Sequence, residues 1–269
     1  MLPYPEIDPV IFQLGPLAVR WYGLMYVLAF IAAYLLVRYQ IRRYPHPGLA
    51  EHFDNLNLVL IISLIVGSRL GYILFYNFSY YWQHPWEIFA TWQGGMSFHG
   101  GMLGLLIGGW LFCRYAKLDF WRSADAYAVA VPIGLGLGRL GNFINGELYG
   151  RVTEMPWGMV FPAGGPLPRH PSQLYESFLE GLVLFIIMWF ALRLYWQRKW
   201  PRGRLVAIFL GGYGVFRFLV EFFREPDAHL GLAWGFFSRG QLLSGLMIVA
   251  ALLLYYFPPG AADRQATSR

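Results

Sequence analysis

Three stretches of this chain, 21–37, 90–113 and 240–262, contain no Asp, Glu, Lys or Arg. A helix needs about 20 mainly apolar residues to cross the hydrocarbon core of a bilayer. Runs of this length and purity leave a water-soluble fold few ways to cover them. Composition agrees: 57% of the 269 residues are hydrophobic, 19% aromatic and 13% charged. Soluble domains carry about 25% charged residues. An ordinary water-soluble enzyme is thereby excluded, and so is disorder, which requires low hydrophobicity.

The pattern predicts an all-α, polytopic membrane helix bundle of about seven transmembrane helices, near 18–38, 55–76, 96–116, 123–141, 173–194, 204–224 and 239–257. Arg69, Arg139, Glu176, Glu180, Arg217 and Glu221 fall within the less pure spans. With the N-terminus outside, 13 of the 21 Lys and Arg residues lie on the inner side. Five (Arg20, Arg151, Arg169, Arg224 and Arg239) lie outside, and Arg69, Arg139 and Arg217 lie within spans. The positive-inside rule then predicts an outer N-terminus and an inner C-terminus. The whole chain, 1–269, reads as one integral membrane domain. The Pro- and Gly-rich connection 142–172 is an outer insertion, and 258–269 is a polar inner tail.

Cys113 is the single cysteine, so no intramolecular disulfide and no Cys-rich metal site is expected. The net charge of +6 comes without a basic run interleaved with aromatics, which argues against a nucleic-acid partner. The start MLPYPEIDPVIFQLGP has no positive n-region and is not read as a secretory signal. No internal repeat is apparent, which weakens a transporter built from inverted halves.

Charge inside a membrane span is costly and marks cavities or partners. The densest polar run at a span end is Gly138-Arg139-Leu140-Gly141-Asn142-Phe143-Ile144-Asn145-Gly146-Glu147-Leu148-Tyr149-Gly150. A snorkelling Arg over a capped helix end would need neither the two Asn nor the Glu. A pocket for an anionic group uses all of them, because a guanidinium fork matches phosphate oxygens in two-pronged fashion. The overlapping Gly136-Leu137-Gly138-Arg139-Leu140-Gly141 fits G-x-G-x-x-G. It ends an apolar helix instead of opening one after a strand, so it is not a dinucleotide fingerprint.

His99 sits in an uncharged run, followed by Gly100, Gly104 and Gly108. Such a small-residue face brings another helix close. A lone buried His is commonly structural; at the outer end of a span, at the depth expected for Arg139, it is also a candidate base. Tyr213, Arg217, Glu221 and Arg224 are spaced 4, 4 and 3 apart and share one helix face. They form either an internal ion-pair ladder or a positive surplus for an anion. The run Arg169-His170-Pro171-Ser172-Gln173-Leu174-Tyr175-Glu176 enters the fifth span, with Ser172 as the expected N-cap and Glu176 as a structural carboxylate. Tyr22 lies where an interfacial aromatic belt is expected. Asn77-Phe78-Ser79 fits a glycosylation sequon by chance.

One His and several Arg near the outer leaflet, without a metal-ligand pattern, suit an enzyme or binder acting on an anionic phospholipid. Neither a cofactor nor a metal is expected. The runs quoted, together with Asp8-Pro9-Val10-Ile11-Phe12 and Arg20-Trp21-Tyr22-Gly23-Leu24-Met25-Tyr26, resemble the bacterial prolipoprotein diacylglyceryl transferases. The resemblance reaches from residue 8 to about 228, nearly the whole chain; the outer lobe is shorter than in some members. It implies a multi-pass protein of the bacterial cytoplasmic (inner) membrane. The diacylglyceryl group of phosphatidylglycerol would pass to the lipobox cysteine of a preprolipoprotein signal peptide, forming a thioether and releasing glycerol phosphate. Membrane lipid and the acceptor would then enter sideways between helices.

On that resemblance His99 is the base for the acceptor thiol. Arg139 binds the lipid phosphate and Arg217 stabilises it as it departs. Asn142, Glu147 and Tyr22 shape the headgroup pocket. Glu221 and Arg224 hold Arg217, with Gly100, Asn145 and Gly150 in support. The same Arg-rich pocket would also serve a transporter or binder of an anionic lipid or small anion. Polar residues that only hold helices together would make the chain a structural assembly factor.

Overall fold

The computed structural model describes residues 2–5, 7–15, 17–91, 94–225 and 238–259. The chain forms two compact units, Met1–Gln40 with Ala124–Arg269, and Ile41–Ser123.

The first unit opens with a feature outside the all-α expectation. Strands β1 (Val10–Leu14) and β2 (Leu17–Arg20) pair antiparallel around Gly15, which takes the left-handed φ of +56° that glycine tolerates. The Trp21 amide closes the hairpin on the Pro9 carbonyl at 3.1 Å. Helix α1 (Trp21–Arg43) therefore begins three residues later than expected.

A single span was expected over 123–141. Instead α5 (Phe120–Ala128) and α6 (Val131–Ile144) meet at a 45° bend. The cause is Pro132, which lacks an amide proton and would clash with the carbonyl four residues back if the helix ran through. At the start of a new helix the same residue is favourable.

The next rod runs through α7 (Ser172–Glu176), a π turn (Ser177–Val183) and α8 (Leu184–Gln197). Gly136 of α6 meets Gly181 of the π turn backbone to backbone: a Cβ at Gly136 would lie 3.1 Å from the Gly181 Cα. The Ser177 hydroxyl donates to the Gly136 carbonyl at 3.0 Å. This close approach sets the depth of Glu176 against α6. Helix α9 (Arg204–Val220) packs along α10 (Arg239–Tyr256). The buried Asp125 carboxylate accepts the Gly203 and Val206 amides at 2.7 and 2.9 Å, satisfying otherwise orphaned donors at the start of α9.

In the second unit, α2 (Leu49–Tyr76) lies against α4 (Phe98–Tyr115). The glycine face expected from Gly100, Gly104 and Gly108 meets Ser63, Gly67 and Gly71 of α2, and a Cβ at Gly100 would run into the Gly67 carbonyl oxygen. Short α3 (Phe78–Gln83) and a 3-10 turn (Pro85–Phe89) follow α2.

Among the described residues, four helices (Trp21–Arg43, Leu49–Tyr76, Ser172–Gln197 and Arg239–Tyr256) are long and apolar enough to cross a membrane; the bent pair makes a fifth if counted as one span. The tail expected over 258–269 lies outside the described residues from 260 onward.

In the loop joining α1 to α2, His46 is buried, and burial together with the Arg122 charge pushes its imidazole down to about 4. The unfolded chain binds this proton from about pH 6.5, the folded chain only below about 4. Stability is therefore whole above pH 6.5 and falls as the pH drops toward 4, by up to about 3 kcal/mol. Thermal unfolding in detergent should show this acid loss in the wild type and a smaller one in His46→Gln. Parallel curves for the two proteins would refute the assignment.

Candidate active site

The end of α6 is built by its own side chains. Gly146, at a φ of +68°, turns the chain back after Ile144. The Glu147 Oε1 then accepts from Asn142 Nδ2 at 2.9 Å and Asn145 Nδ2 at 3.1 Å. Three sequence-predicted residues thus form one network, with Glu147 exposed and Asn142 buried beneath it. From the next helix, Gln173 Nε2 donates to the Glu147 carbonyl at 2.6 Å and the Ser172 hydroxyl to the Leu148 carbonyl at 3.1 Å. Ser172 is therefore not the N-cap expected of it. That position falls to Pro171, and Ser172 is the first residue of α7. Tyr22 packs its ring on Gly141, where a Cβ would lie 2.8 Å from the Tyr22 Cδ2, and its hydroxyl meets that of Tyr26 at 3.2 Å.

Gly150 fastens this loop to the end of α9. It bridges Arg224, and its amide donates to the His170 carbonyl at 2.8 Å. A side chain there would strike the Phe223 carbonyl and lie 2.7 Å from the His170 Cβ. This stitch carries Arg224 to the buried end of α7.

There the charges converge on Glu176, whose side chain is fully buried. Its Oε2 meets Arg139 Nε at 2.5 Å and Arg217 Nη1 at 3.2 Å, and its Oε1 meets Arg224 Nη1 at 3.5 Å. Arg217 Nη2 also pairs with Glu221 Oε2 at 2.8 Å, one helical turn along α9. The other Glu221 oxygen accepts the Ser238 hydroxyl at 2.9 Å. Arg224 thus meets Glu176, while Glu221 is the partner that holds Arg217. The ion-paired set is three guanidiniums around two carboxylates. Arg139 spends its Nε on Glu176, and its terminal nitrogens have no hydrogen-bond partner among the described residues.

Glu176 is the organising residue that sequence reasoning undervalued. A signal existed: between His170 and Arg193 the only charged residues are Glu176 and Glu180, four apart. Glu180 is also fully buried, and neither of its carboxyl oxygens has a hydrogen-bond partner among the described residues.

Arg169 and His170 belong to the surrounding wall. Arg169 donates to the Gly164 and Gly150 carbonyls and to Glu225 at 2.8, 3.2 and 3.1 Å. The His170 Nδ1 lies 3.0 Å from the Tyr175 hydroxyl, which itself accepts the Trp157 Nε1 proton at 2.7 Å. The Tyr175 hydroxyl thus links Trp157 to His170, and burial lowers the imidazole from its ordinary range. His99 is the second residue of α4 in the other unit, exposed, with Phe98 edge-on beside it and its helix capped by Ser97. Among the described residues no group of three or more His, Cys, Asp or Glu is placed to hold a metal ion.

The chemistry this arrangement offers is anion capture by preorganised guanidiniums, with no dedicated nucleophile in the cluster. A sequence model of the family described as prolipoprotein diacylglyceryl transferase matches residues 9–257. A Desulfotalea psychrophila protein named phosphatidylglycerol–prolipoprotein diacylglyceryl transferase is 58% identical over 255 residues, covering 94% of each chain. One of the same name from Geobacter sulfurreducens is 58% identical over 93% of this chain and 95% of its own. Another, from Bordetella avium, is 50% identical over 98% of this chain and 100% of its own. With the family model matching residues 9–257 and relatives matching over more than nine-tenths of its length, the chain belongs to the prolipoprotein diacylglyceryl transferase family.

Proposed function

We propose that this protein transfers the diacylglyceryl group of phosphatidylglycerol to the lipobox cysteine of preprolipoproteins, the first step of bacterial lipoprotein maturation. The observation that carries the reading is the Glu176 hub. It fixes Arg139, Arg217 and Arg224 in place while leaving the terminal nitrogens of Arg139 for a phosphodiester. Preorganised positive charge of this kind stabilises a leaving phosphate as its negative charge grows.

In the step itself the acceptor thiol gives its proton to His99. The sulfur pair forms a bond to the glyceryl carbon, and the carbon–oxygen bond to phosphate breaks. The oxygen keeps the bonding pair, and glycerol phosphate leaves. The proton on His99 then passes to the released phosphate or to water. Arg139 grips the phosphate from the start, and Arg217 meets the charge that builds on its departing oxygen. Asn142, Glu147 and Tyr22 shape the space for the glycerol headgroup. Purified protein in phosphatidylglycerol micelles with a lipobox peptide tests the reading: a thioether-linked adduct is expected. Lipid or anion binding without an adduct would leave a binder or transporter.

The reading includes an inner-membrane protein of about seven spans, its N-terminus and the 142–172 lobe periplasmic and its tail cytoplasmic. The basic asymmetry between the two sides supports it. A reporter fused after residue 269 should read cytoplasmic and one within 155–165 periplasmic; the reverse would refute the orientation.

Arg139→Lys keeps the charge and removes the fork. At least about a tenfold loss in lipid affinity or turnover is expected from a protein that still inserts, because a bidentate site is not served by a point charge. Near-normal activity would show that charge alone suffices.

A further inference from the structure

Arg69 is a span arginine outside the Glu176 cluster, and its surroundings are unusual. It lies on α2, buried to 4% exposure, and forms no ion pair with a carboxylate among the described residues. Its guanidinium makes five hydrogen bonds, all to backbone carbonyls of the segment that follows α3. Nε donates to Ile88 at 2.9 Å. Nη1 donates to Gly94 and Gly95 at 2.6 and 3.1 Å, and Nη2 to Glu87 and Ala90 at 2.6 and 3.3 Å. The Tyr81 ring covers it at 5.0 Å.

The segment is shaped to this guest. Gly94 and Gly95 take φ values of +86° and +77°, and a Cβ at Gly95 would lie 2.9 Å from Arg69 Nη1 and 2.6 Å from the Tyr72 ring. Only Met96 separates Gly95 from Ser97. The Ser97 amide donates to the carbonyl of Ser68, the neighbour of Arg69, at 2.9 Å. The Ser97 hydroxyl then caps α4 by accepting the Gly100 amide at 3.2 Å. Two adjacent residues of α2 thus hold both sides of the chain just before the turn that carries His99. Gly100 and Gly101 in that turn are pressed on Gly67, Ser68 and Gly71, so its depth on α2 is set as well.

We infer that Arg69 is the positioning residue for His99: by gathering five carbonyls of 87–95 it fixes where the His99 turn begins, and so where the imidazole is presented to the acceptor thiol. The inference rests on the reading of His99 as the base. A guanidinium suits the task because it presents five donors in a rigid plane, whereas an ammonium offers three from a single point. A shift of about 1 Å in a catalytic group can cost about 10²-fold in rate.

The test is a two-by-two set at pH 7 and pH 9, wild type, Arg69→Lys, His99→Gln and the double variant, with lipid affinity measured separately. Arg69→Lys is expected to lose on the order of 10²-fold in turnover at pH 7 and to keep its lipid affinity. It should recover part of the rate at pH 9, where the thiol ionises unaided above about 8.5. The double variant should be little slower than His99→Gln alone, because a displaced imidazole and a missing one leave the same reaction.

Wild-type turnover in Arg69→Lys overturns the inference, as do losses that multiply in the double variant without alkaline recovery, the mark of a purely structural arginine. If His99→Gln itself keeps full turnover, the base reading falls and the inference with it; if only His99→Gln is recovered by alkali, the inference falls alone. Should Arg69→Lys fail to insert, Gly95→Ala displaces the segment while keeping the guanidinium, and it must give the same pattern.

Discussion

Glu176→Gln is expected to cost about 3–5 kcal/mol of stability, because removing one partner of a buried ion pair leaves the remaining charge uncompensated. Here the effect is concentrated. One carboxylate serves Arg139, Arg217 and Arg224, so its loss leaves three guanidiniums facing one another at 12–18% side-chain exposure. Arg217 keeps Glu221; Arg139 and Arg224 keep no carboxylate within ion-pair distance among the described residues.

Turnover should fall by about 10²-fold or more, since on the proposed mechanism Arg139 would no longer be held against the lipid phosphate. Lipid capture should not fall in step, because the variant site carries one more positive charge. Glu221→Gln provides the contrast: it removes only one of the two carboxylates on Arg217, so its losses should be smaller in both measures. Thermal unfolding in micelles and the separation of kcat from KM for phosphatidylglycerol decide it. A Glu176→Gln protein as stable and active as Glu221→Gln would show that Glu176 is no hub.

The hub illustrates what a sequence of this kind exposes and what it hides. The run Gly138–Gly150 was legible because its chemistry is local: Asn142, Asn145 and Glu147 bond to one another across a single helix end. The glycine face of α4 was legible for the same reason, since its period is that of the helix. Glu176 was not, because its meaning depends on three arginines from two other segments. They meet only after Gly136 and Gly181 touch and Gly150 draws the end of α9 inward.

Pro132 was visible, but its effect was outweighed by the apolar pattern running through 123–141. The hairpin at Val10–Arg20 hid beside a span whose hydrophobic period swallowed its second strand. The mis-set cap at Ser172 has a similar origin. A serine before an apolar run is a good N-cap by type, yet here its hydroxyl is drawn to the Leu148 carbonyl of a loop twenty-four residues away.

His99→Gln is expected to keep fold and lipid binding and to lose most thioether formation at neutral pH. A base must be neutral to accept the thiol proton, so wild-type turnover should rise with pH. Gln has nearly the reach of His and can donate or accept a hydrogen bond, but it cannot take up a proton. Raising the pH toward 9 should restore part of its rate, because a thiol with a pKa of about 8.5 then ionises unaided. The wild-type and variant profiles should therefore converge at alkaline pH.

If His99 instead orients the headgroup through a hydrogen bond, Gln should keep substantial activity. Whatever is lost should then appear as weaker lipid binding, with no recovery by alkali. An equal fractional loss at every pH would remove His99 from the proton-transfer step. The acceptor thiolate would then have to arise without it, in the positive field of the arginines.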